Sequence, residues 1–427
     1  MIKKLKFSNY QSYLNETVLD FKVPEKFSDS YFDCKDSNNH KYARVAAVFG
    51  ANGSGKSSLL KPLSFISWFI AQSFHDLSKS EKIPFQPHFA AKNKPTNIEI
   101  DFQIDSPISE SESDRYLDFK YNLTLTRDRV LLEELKLKTS RLYSRVFKRE
   151  FDKVKNKYDV FSSSFMSNNV SRLKDTPPNC SYMSYLARLN FDLFENENEE
   201  DNGSDNEVFE NLSLVDFIYP HFFLCISNIT ETDKADFNIL HDETTKIFIK
   251  QPEVFNEVKN LICKFDIGIK DIEIRNKTII NSNNEEEERN IPYFKHEYEG
   301  ESYFLPIYQE SRGTKSAYTL LCHIIQSINC GTLAILDEFD NDLHPMLTNE
   351  IIELFASENN KKNAQLIFTT HNTELLKTLR KQHVYFVEKD DSVSEAYRAD
   401  QIQGLKERDN INAKYLSGAL GGVPDIY

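Results

Sequence analysis

Gly50-Ala51-Asn52-Gly53-Ser54-Gly55-Lys56-Ser57 reads G-x-x-x-x-G-K-S. The seven residues ahead of it, Ala-Arg-Val-Ala-Ala-Val-Phe at 43–49, are apolar and β-prone, as a buried strand requires. Residues 58–74 behind it are apolar at helical spacing. A strand, a glycine-rich turn and a helix N-terminus in that order make a phosphate site. The glycines let consecutive backbone N–H groups turn inward around a phosphate, and the helix end adds its partial positive charge. Residues Gly50 to Ser57, with Ser58 next to them, are therefore the candidate nucleotide-binding residues. Lys56 is expected to bridge the outer phosphates and the Ser57 hydroxyl to take a place on Mg²⁺. The bound group implied is a nucleoside triphosphate with its magnesium.

A chain of 427 residues is too long for one simple core and predicts a head with an insertion. Forty per cent hydrophobic and 28% charged residues are ordinary for a globular protein. A net charge of −14 supplies no global pull toward DNA or acidic lipid, so any nucleic-acid contact needs a local basic patch or a partner. None of the six cysteines falls into a C-x-x-C pair, which argues against a zinc site and a disulfide framework and fits the cytoplasm. The N-terminus lacks the apolar core of a signal peptide. Residues 212–229 are the one stretch worth testing as a membrane span, but Asp216, Pro220 and His221 lie in its middle. The reading there is a buried helix broken at Pro220, with no membrane association.

Along the chain, residues 2–21 alternate like two strands around a polar turn. A kink is expected at Pro62, whose missing N–H would have met the Ser58 carbonyl. Three strands are predicted at 96–104, 116–126 and 130–138. The basic stretch 142–158 reads as a solvated helix or strand face, with nucleic-acid contact as the other reading. Helices are expected at 177–194, 212–229 and 252–265, a strand at 270–280, and polar loops at 195–205 and 281–290. No heptad pattern runs through the middle, which excludes a long coiled-coil arm.

Downstream, Glu310-Ser311-Arg312-Gly313-Thr314-Lys315 opens an apolar helix, and Ser311 and Gly313 suit a second anion site at its N-terminus. Residues 332–338 (TLAILDE) form a buried strand ending in two carboxylates. Asp337 is assigned to magnesium, and Glu338 to activating or orienting the water that attacks the γ-phosphate. Residues 364–372 form another buried strand ending in Thr-Thr-His, where His371 is the candidate contact to the γ-phosphate or the water. Gln86 is a further candidate for sensing magnesium. His344 is weighed against a plain capping role. Asn9, Tyr10 and Ser12 are the candidates on the base side.

These motifs, in this order, resemble those of ATP-binding-cassette-type ATPases. More narrowly the chain is similar to ATPases of prokaryotic anti-phage and abortive-infection systems, the RloA/AbiL-like group, with kinship to OLD-family and SMC-like heads. The resemblance rests on Glu310–Thr314 as E-S-x-G-T, on Asp337–Pro345 as D-E-x-D-x-x-L-H-P and on Phe368–His371 as F-T-T-H. Val387–Asp390 as V-E-K-D and the tail Tyr415–Pro424 add to it. It covers residues 1–105 and 300–427 and is loose between them. Arg312 departs from the acidic residue or glycine usual after the signature serine.

The resemblance implies an α/β P-loop head of the ABC/SMC type with mixed sheets and a largely helical insertion. Its parts would be residues 1–140 (phosphate loop and β lobe), 141–295 (a mainly helical partner or trigger lobe) and 296–427 (signature and carboxylate motifs). It further implies ATP rather than GTP, and a homodimer, with higher oligomers left open, in which Ser311 and Gly313 act in trans. The job implied is that of a sensor or scaffold controlling a separate nuclease or toxin effector, a TOPRIM-containing subunit among the candidates, in answer to a phage-encoded trigger. The competing reading is an SMC-like genome-maintenance ATPase that binds DNA directly. Only 56 residues follow His371 (427 minus 371), short of the ~100 of a small domain such as a TOPRIM fold, so no intrinsic nuclease is expected.

Overall fold

The computed structural model describes residues 1–105, 116–139, 141–163, 170–197, 214–230, 240–266, 268–280, 286–341 and 343–422. The phosphate-loop strand, Val45–Gly50, is buried at every position inside a six-stranded sheet. The order across that sheet is Ile226–Ser227, Leu333–Leu336, Gln365–Thr369, Val45–Gly50, Val384–Asp390, Val393–Arg398. The first five strands are parallel and the sixth is antiparallel. Uninterrupted apolar runs such as Val-Ala-Ala-Val-Phe and Leu-Ala-Ile-Leu belong to strands covered on both faces.

Alternate residues serve different cores. Ala46 and Val48 join Ile335 and Ile367 against the helix Lys56–Asp76. Val45, Ala47 and Phe49 join Ala334, Leu336, Leu366 and Phe368 against the helix Arg312–Cys330. Because these strands run parallel, their carboxyl ends share one edge of the sheet, where ligands of such sheets bind.

A seven-stranded antiparallel sheet forms the β lobe, in the order Lys157–Ser162, Tyr143–Asp152, Val130–Lys138, Tyr116–Leu125, Thr96–Asp105, Ile2–Ser8, Thr17–Asp20. The three strands expected in its middle are present to within a residue. The basic stretch becomes its outer hairpin, so the first part of the segment read as a mainly helical insertion is β structure. Arg145 pairs with Glu134 at 2.7 Å and Lys148 with Glu150 at 2.6 Å. Lys155 lies 3.0 Å from Asp152 and 3.3 Å from Asp159. Much of that positive charge is spent within the sheet.

Among the described residues five helices follow, Val170–Asp175, Tyr182–Glu197, Leu214–Phe223, His241–Lys250 and Pro252–Phe265. Pro220 does not break its helix: losing one N–H costs a single bond, and the helix closes with Leu224 N–H on the Pro220 carbonyl at 3.0 Å. The helix Lys56–Asp76 likewise runs on through Pro62. Part of the polar loop expected at 281–290 is strand. Glu286–Tyr298 pairs with Asp271–Ile280 from Ile280↔Glu286 onward, because both sides of that ribbon end face solvent and accept a run of glutamates. Residues 198–205 of the acidic stretch lie outside the described residues. Among the described residues no helix is long and apolar enough to cross a membrane.

The β lobe is locked to the helices by a wholly buried ion pair. The Arg149 Nε donates to Glu133 at 2.8 Å, and both side chains are fully enclosed. Arg149 also donates to the carbonyls of Pro177 and Cys180. Glu133 accepts from the Tyr121 and Ser181 hydroxyls, each at 2.8 Å. The Ser181 N–H donates in turn to Ser73 on the phosphate-loop helix at 2.9 Å. Removing one partner strands the other charge in the core, so Arg149→Met is expected to destabilise the chain by roughly 3–5 kcal/mol. Urea unfolding followed by circular dichroism measures this, and an unchanged midpoint would contradict it.

Candidate functional site

The phosphate loop leaves the sheet at Gly50, where a side chain is excluded. A Cβ there would sit 2.6 Å from the Val387 carbonyl oxygen of the neighbouring strand. Gly55 carries φ 111°, and a Cβ on it would overlap the Ser394 hydroxyl. Ser394 Oγ donates to the Ser54 carbonyl at 2.6 Å, and the Tyr13 hydroxyl to the Gly55 carbonyl at 3.1 Å. The loop is thus braced from outside by the hairpin of Val384–Asp390 with Val393–Arg398. The Ser54 and Gly55 carbonyls are thereby occupied by hydroxyl donors from outside the loop.

Lys56 is buried at the start of the helix, its ammonium donating to the Gly50 carbonyl at 2.9 Å and the Ala51 carbonyl at 3.1 Å. Burial pulls its pKa below the usual lysine range, while Glu338 and Asp337 push the other way. A cation held by weak neutral acceptors beside two carboxylates suits a phosphate.

Asp337 is the point where the segments meet. The Ser57 hydroxyl lies 2.9 and 3.0 Å from its two carboxylate oxygens, and the Thr369 hydroxyl donates to one of them at 2.7 Å. Glu338 follows with φ 48°, a left-handed conformation that costs a residue with a side chain roughly 1–2 kcal/mol. Its N–H donates to Thr369 Oγ1 at 2.9 Å, and its carboxylate lies 3.5 Å from His371 Nε2 and accepts from Asn341 at 3.1 Å. Glu338 and His371 are both part exposed, facing the same open edge. A hydroxyl next to a buried carboxylate is the donor set that holds Mg²⁺ beside a triphosphate. Ser57 and Asp337 would hold the metal and Gly50 to Ser58 the phosphates, an ion that supplies charge neutralisation there when bound. Glu338 can hold or orient a water, and His371 can share its proton.

Not every expected residue lies here. The Gln86 side chain is exposed, and its backbone carbonyl accepts the Gln11 N–H at 2.7 Å. Gln11 is the glutamine that reaches the loop helix, accepting from Ser58 at 2.8 Å. Ser311 caps its own helix, accepting from Thr314 N–H at 3.1 Å, and Gly313 lies in that helix's first turn. Thr314 reaches Asp266 at 2.8 Å, and Glu310 lies 2.8 Å from His296, so the signature's own contacts are with the lobe around Asp271–Ile280. His344 caps the helix Pro345–Ala356 through Met346 N–H at 3.2 Å.

Of the residues expected on the base side, Asn9 is consumed by the Ala91, Lys94 and Pro95 carbonyls and by His88 N–H. Tyr10 is fully buried among Phe7, Phe65 and Phe85, a structural position. Ser12 touches the loop brace, through Ser394 at 2.8 Å. Thr369, Asn341, Ser394 and Asn228 were not picked out from the sequence. Thr369 stands in the quoted F-T-T-H motif and Asn341 at an unspecified position of the quoted Asp337–Pro345 stretch, whereas no local pattern marks Ser394 or Asn228.

The fold and site define a P-loop nucleoside triphosphatase. The chain belongs to the family described as "AAA domain, putative AbiEii toxin, Type IV TA system", whose model matches residues 45–377, and as such it is an ATP-binding ATPase. No curated protein matches it in sequence. Among solved structures it is similar to an SMC head bound to the C-winged helix domain of ScpA, at 14% identity over 93% of this chain and 97% of that one, with a TM-score of 0.45. An SMC head domain from Thermotoga maritima matches at 14% identity over 93% and 98%, with 0.38. A head with coiled coil and joint derived from Pyrococcus yayanosii matches at 13% over 98% and 99%, with 0.42.

Replacing the lysine tests the site directly. Lys56→Ala is expected to abolish ATP binding in equilibrium dialysis while leaving the thermal midpoint near wild type. Retained binding would place the nucleotide elsewhere.

Proposed function

We propose that this chain is an ATP-hydrolysing switch that works as a nucleotide-sandwich homodimer and serves as the sensor or scaffold subunit of an anti-phage defence system. One observation carries the switch: Ser57, Asp337, Thr369, Glu338 and His371, from three distant segments, converge beside the phosphate loop. The dimer reading is supported by Ser311 and Gly313 at the start of their helix, where the Ser311 hydroxyl bonds to Thr314 and Thr314 to Asp266, a helix N-terminus suited to the ATP of a second copy. Binding two ATP molecules would close the pair and hydrolysis would reopen it.

The defence role rests on the motif resemblance and on a family description that names a toxin–antitoxin system. In this reading the chain controls a separate nuclease or toxin effector and has no nuclease of its own. The helices between 170 and 265, together with the three-stranded sheet after them, form the partner- or trigger-binding part. The same description supports a second reading, that the chain itself is the toxic component.

Glu338→Gln is expected to bind ATP, to lose hydrolysis by roughly a hundredfold or more, and to accumulate as a dimer in light scattering with ATP and Mg²⁺. Wild-type turnover in Glu338→Gln would reject the assignment of the base. A pull-down of the trapped form with the products of neighbouring genes should recover an effector subunit. Growth arrest by this chain expressed alone, abolished by Lys56→Ala, would instead favour the toxin reading, and ATP-dependent DNA binding by a clean dimer the genome-maintenance one.

A further inference from the structure

The peptide unit joining Asp337 to Glu338 is held at both ends. Its N–H, on Glu338, donates to Thr369 Oγ1 at 2.9 Å. Its carbonyl, on Asp337, accepts from Asn228 Nδ2 at 2.9 Å, and Asn228 Oδ1 accepts the Asp337 N–H at 2.7 Å. Asn228 is buried and follows the two-residue edge strand Ile226–Ser227, which pairs in parallel with Leu333–Leu336. Its own N–H donates to the Ile335 carbonyl at 3.3 Å. The edge strand therefore ends one step short, and the Asn228 side-chain amide takes the place of the missing peptide group against Asp337.

That substitution matters because of what comes next in the chain. Glu338 carries φ 48°, an uncommon conformation for a residue with a Cβ, and rotation of the 337–338 peptide is the direct way to relieve it. The two clamps forbid that rotation. The Glu338 carboxylate is thereby kept turned toward His371 and Asn341. Asn228 lies 109 positions upstream of Asp337, in the segment that connects the helix Leu214–Phe223 to the helices beyond it. The next residue, Ile229, accepts from Ser64 of the phosphate-loop helix at 2.7 Å.

We propose that Asn228 is a positioning residue for hydrolysis, which holds Glu338 in its strained, productive orientation and makes that orientation depend on the middle segment of the chain. This rests on the reading of Glu338 as the group that activates or orients the attacking water. Movement of the helix Leu214–Phe223 on partner binding would draw Asn228 off Asp337, let the peptide turn, and slow hydrolysis without touching the nucleotide.

Single-turnover hydrolysis and ATP binding by the full chain test this. Asn228→Ala is expected to lower the hydrolysis rate roughly a hundredfold with ATP affinity kept within about threefold. Asn228→Asp keeps the acceptor for Asp337 N–H and loses the donor to its carbonyl, so it should be as slow as the alanine variant. In a Glu338→Gln background, where there is no carboxylate left to position, Asn228→Ala should cost nothing further. Wild-type rates in either single variant would overturn the proposal. So would a parallel fall in ATP affinity, or an undiminished effect in the Glu338→Gln background, since both describe a merely structural asparagine. A fully active Glu338→Gln would instead sink the assignment of the base, a failure separate from that of Asn228.

Discussion

A buried carboxylate at the end of a parallel strand is costly unless hydroxyls or amides surround it, and Asp337 is where this chain meets that cost. Its hydroxyl partners come from the phosphate-loop helix and from the end of the His371 strand. Its backbone is held by an asparagine from the middle of the sequence. Because one acidic group gathers these segments, the phosphate loop, the candidate base and the edge strand cannot move independently. A ligand that draws Ser57 off Asp337 changes the hydrogen bonding of Thr369, and through it that of Glu338.

The surrounding architecture keeps that junction rigid on one side and open on the other. The inner strands of the central sheet, Val45–Gly50, Leu333–Leu336 and Gln365–Thr369, are buried at every position. The β lobe is tied to the phosphate-loop helix by Arg149, Glu133 and the Ser181–Ser73 contact. The open side bears Glu338 and His371, both part exposed.

The legible portion of the fold was the part written in local pattern. Continuous apolar runs ending in Gly50, Asp337 and Thr369 announced buried strands, and each ends at the candidate site. The alternating strands of the β lobe at 96–138 were equally plain. What stayed hidden depended on pairing across distance. The basic stretch at 142–158 reads as a charged face until Glu133 and Glu134 are known to lie opposite it. The glutamates at 286–288 read as loop until residues 278–280 are set beside them. Asn228 stands in no motif at all, and only strand pairing brings it to Asp337. Gln11 is hidden for a similar reason: only the turn at Asn9–Tyr13 brings its side chain to Ser58, while Gln86 offers that turn its backbone carbonyl.

The most direct test of this account is a structure of the Glu338→Gln chain with ATP and Mg²⁺. The Lys56 ammonium should have left the Gly50 and Ala51 carbonyls for the phosphates, and the Ser57 hydroxyl should have left Asp337 for the metal. Asn228 should still hold the 337–338 peptide. Nucleotide bound with Lys56 still on its own loop carbonyls and Ser57 still on Asp337 would contradict the site as described.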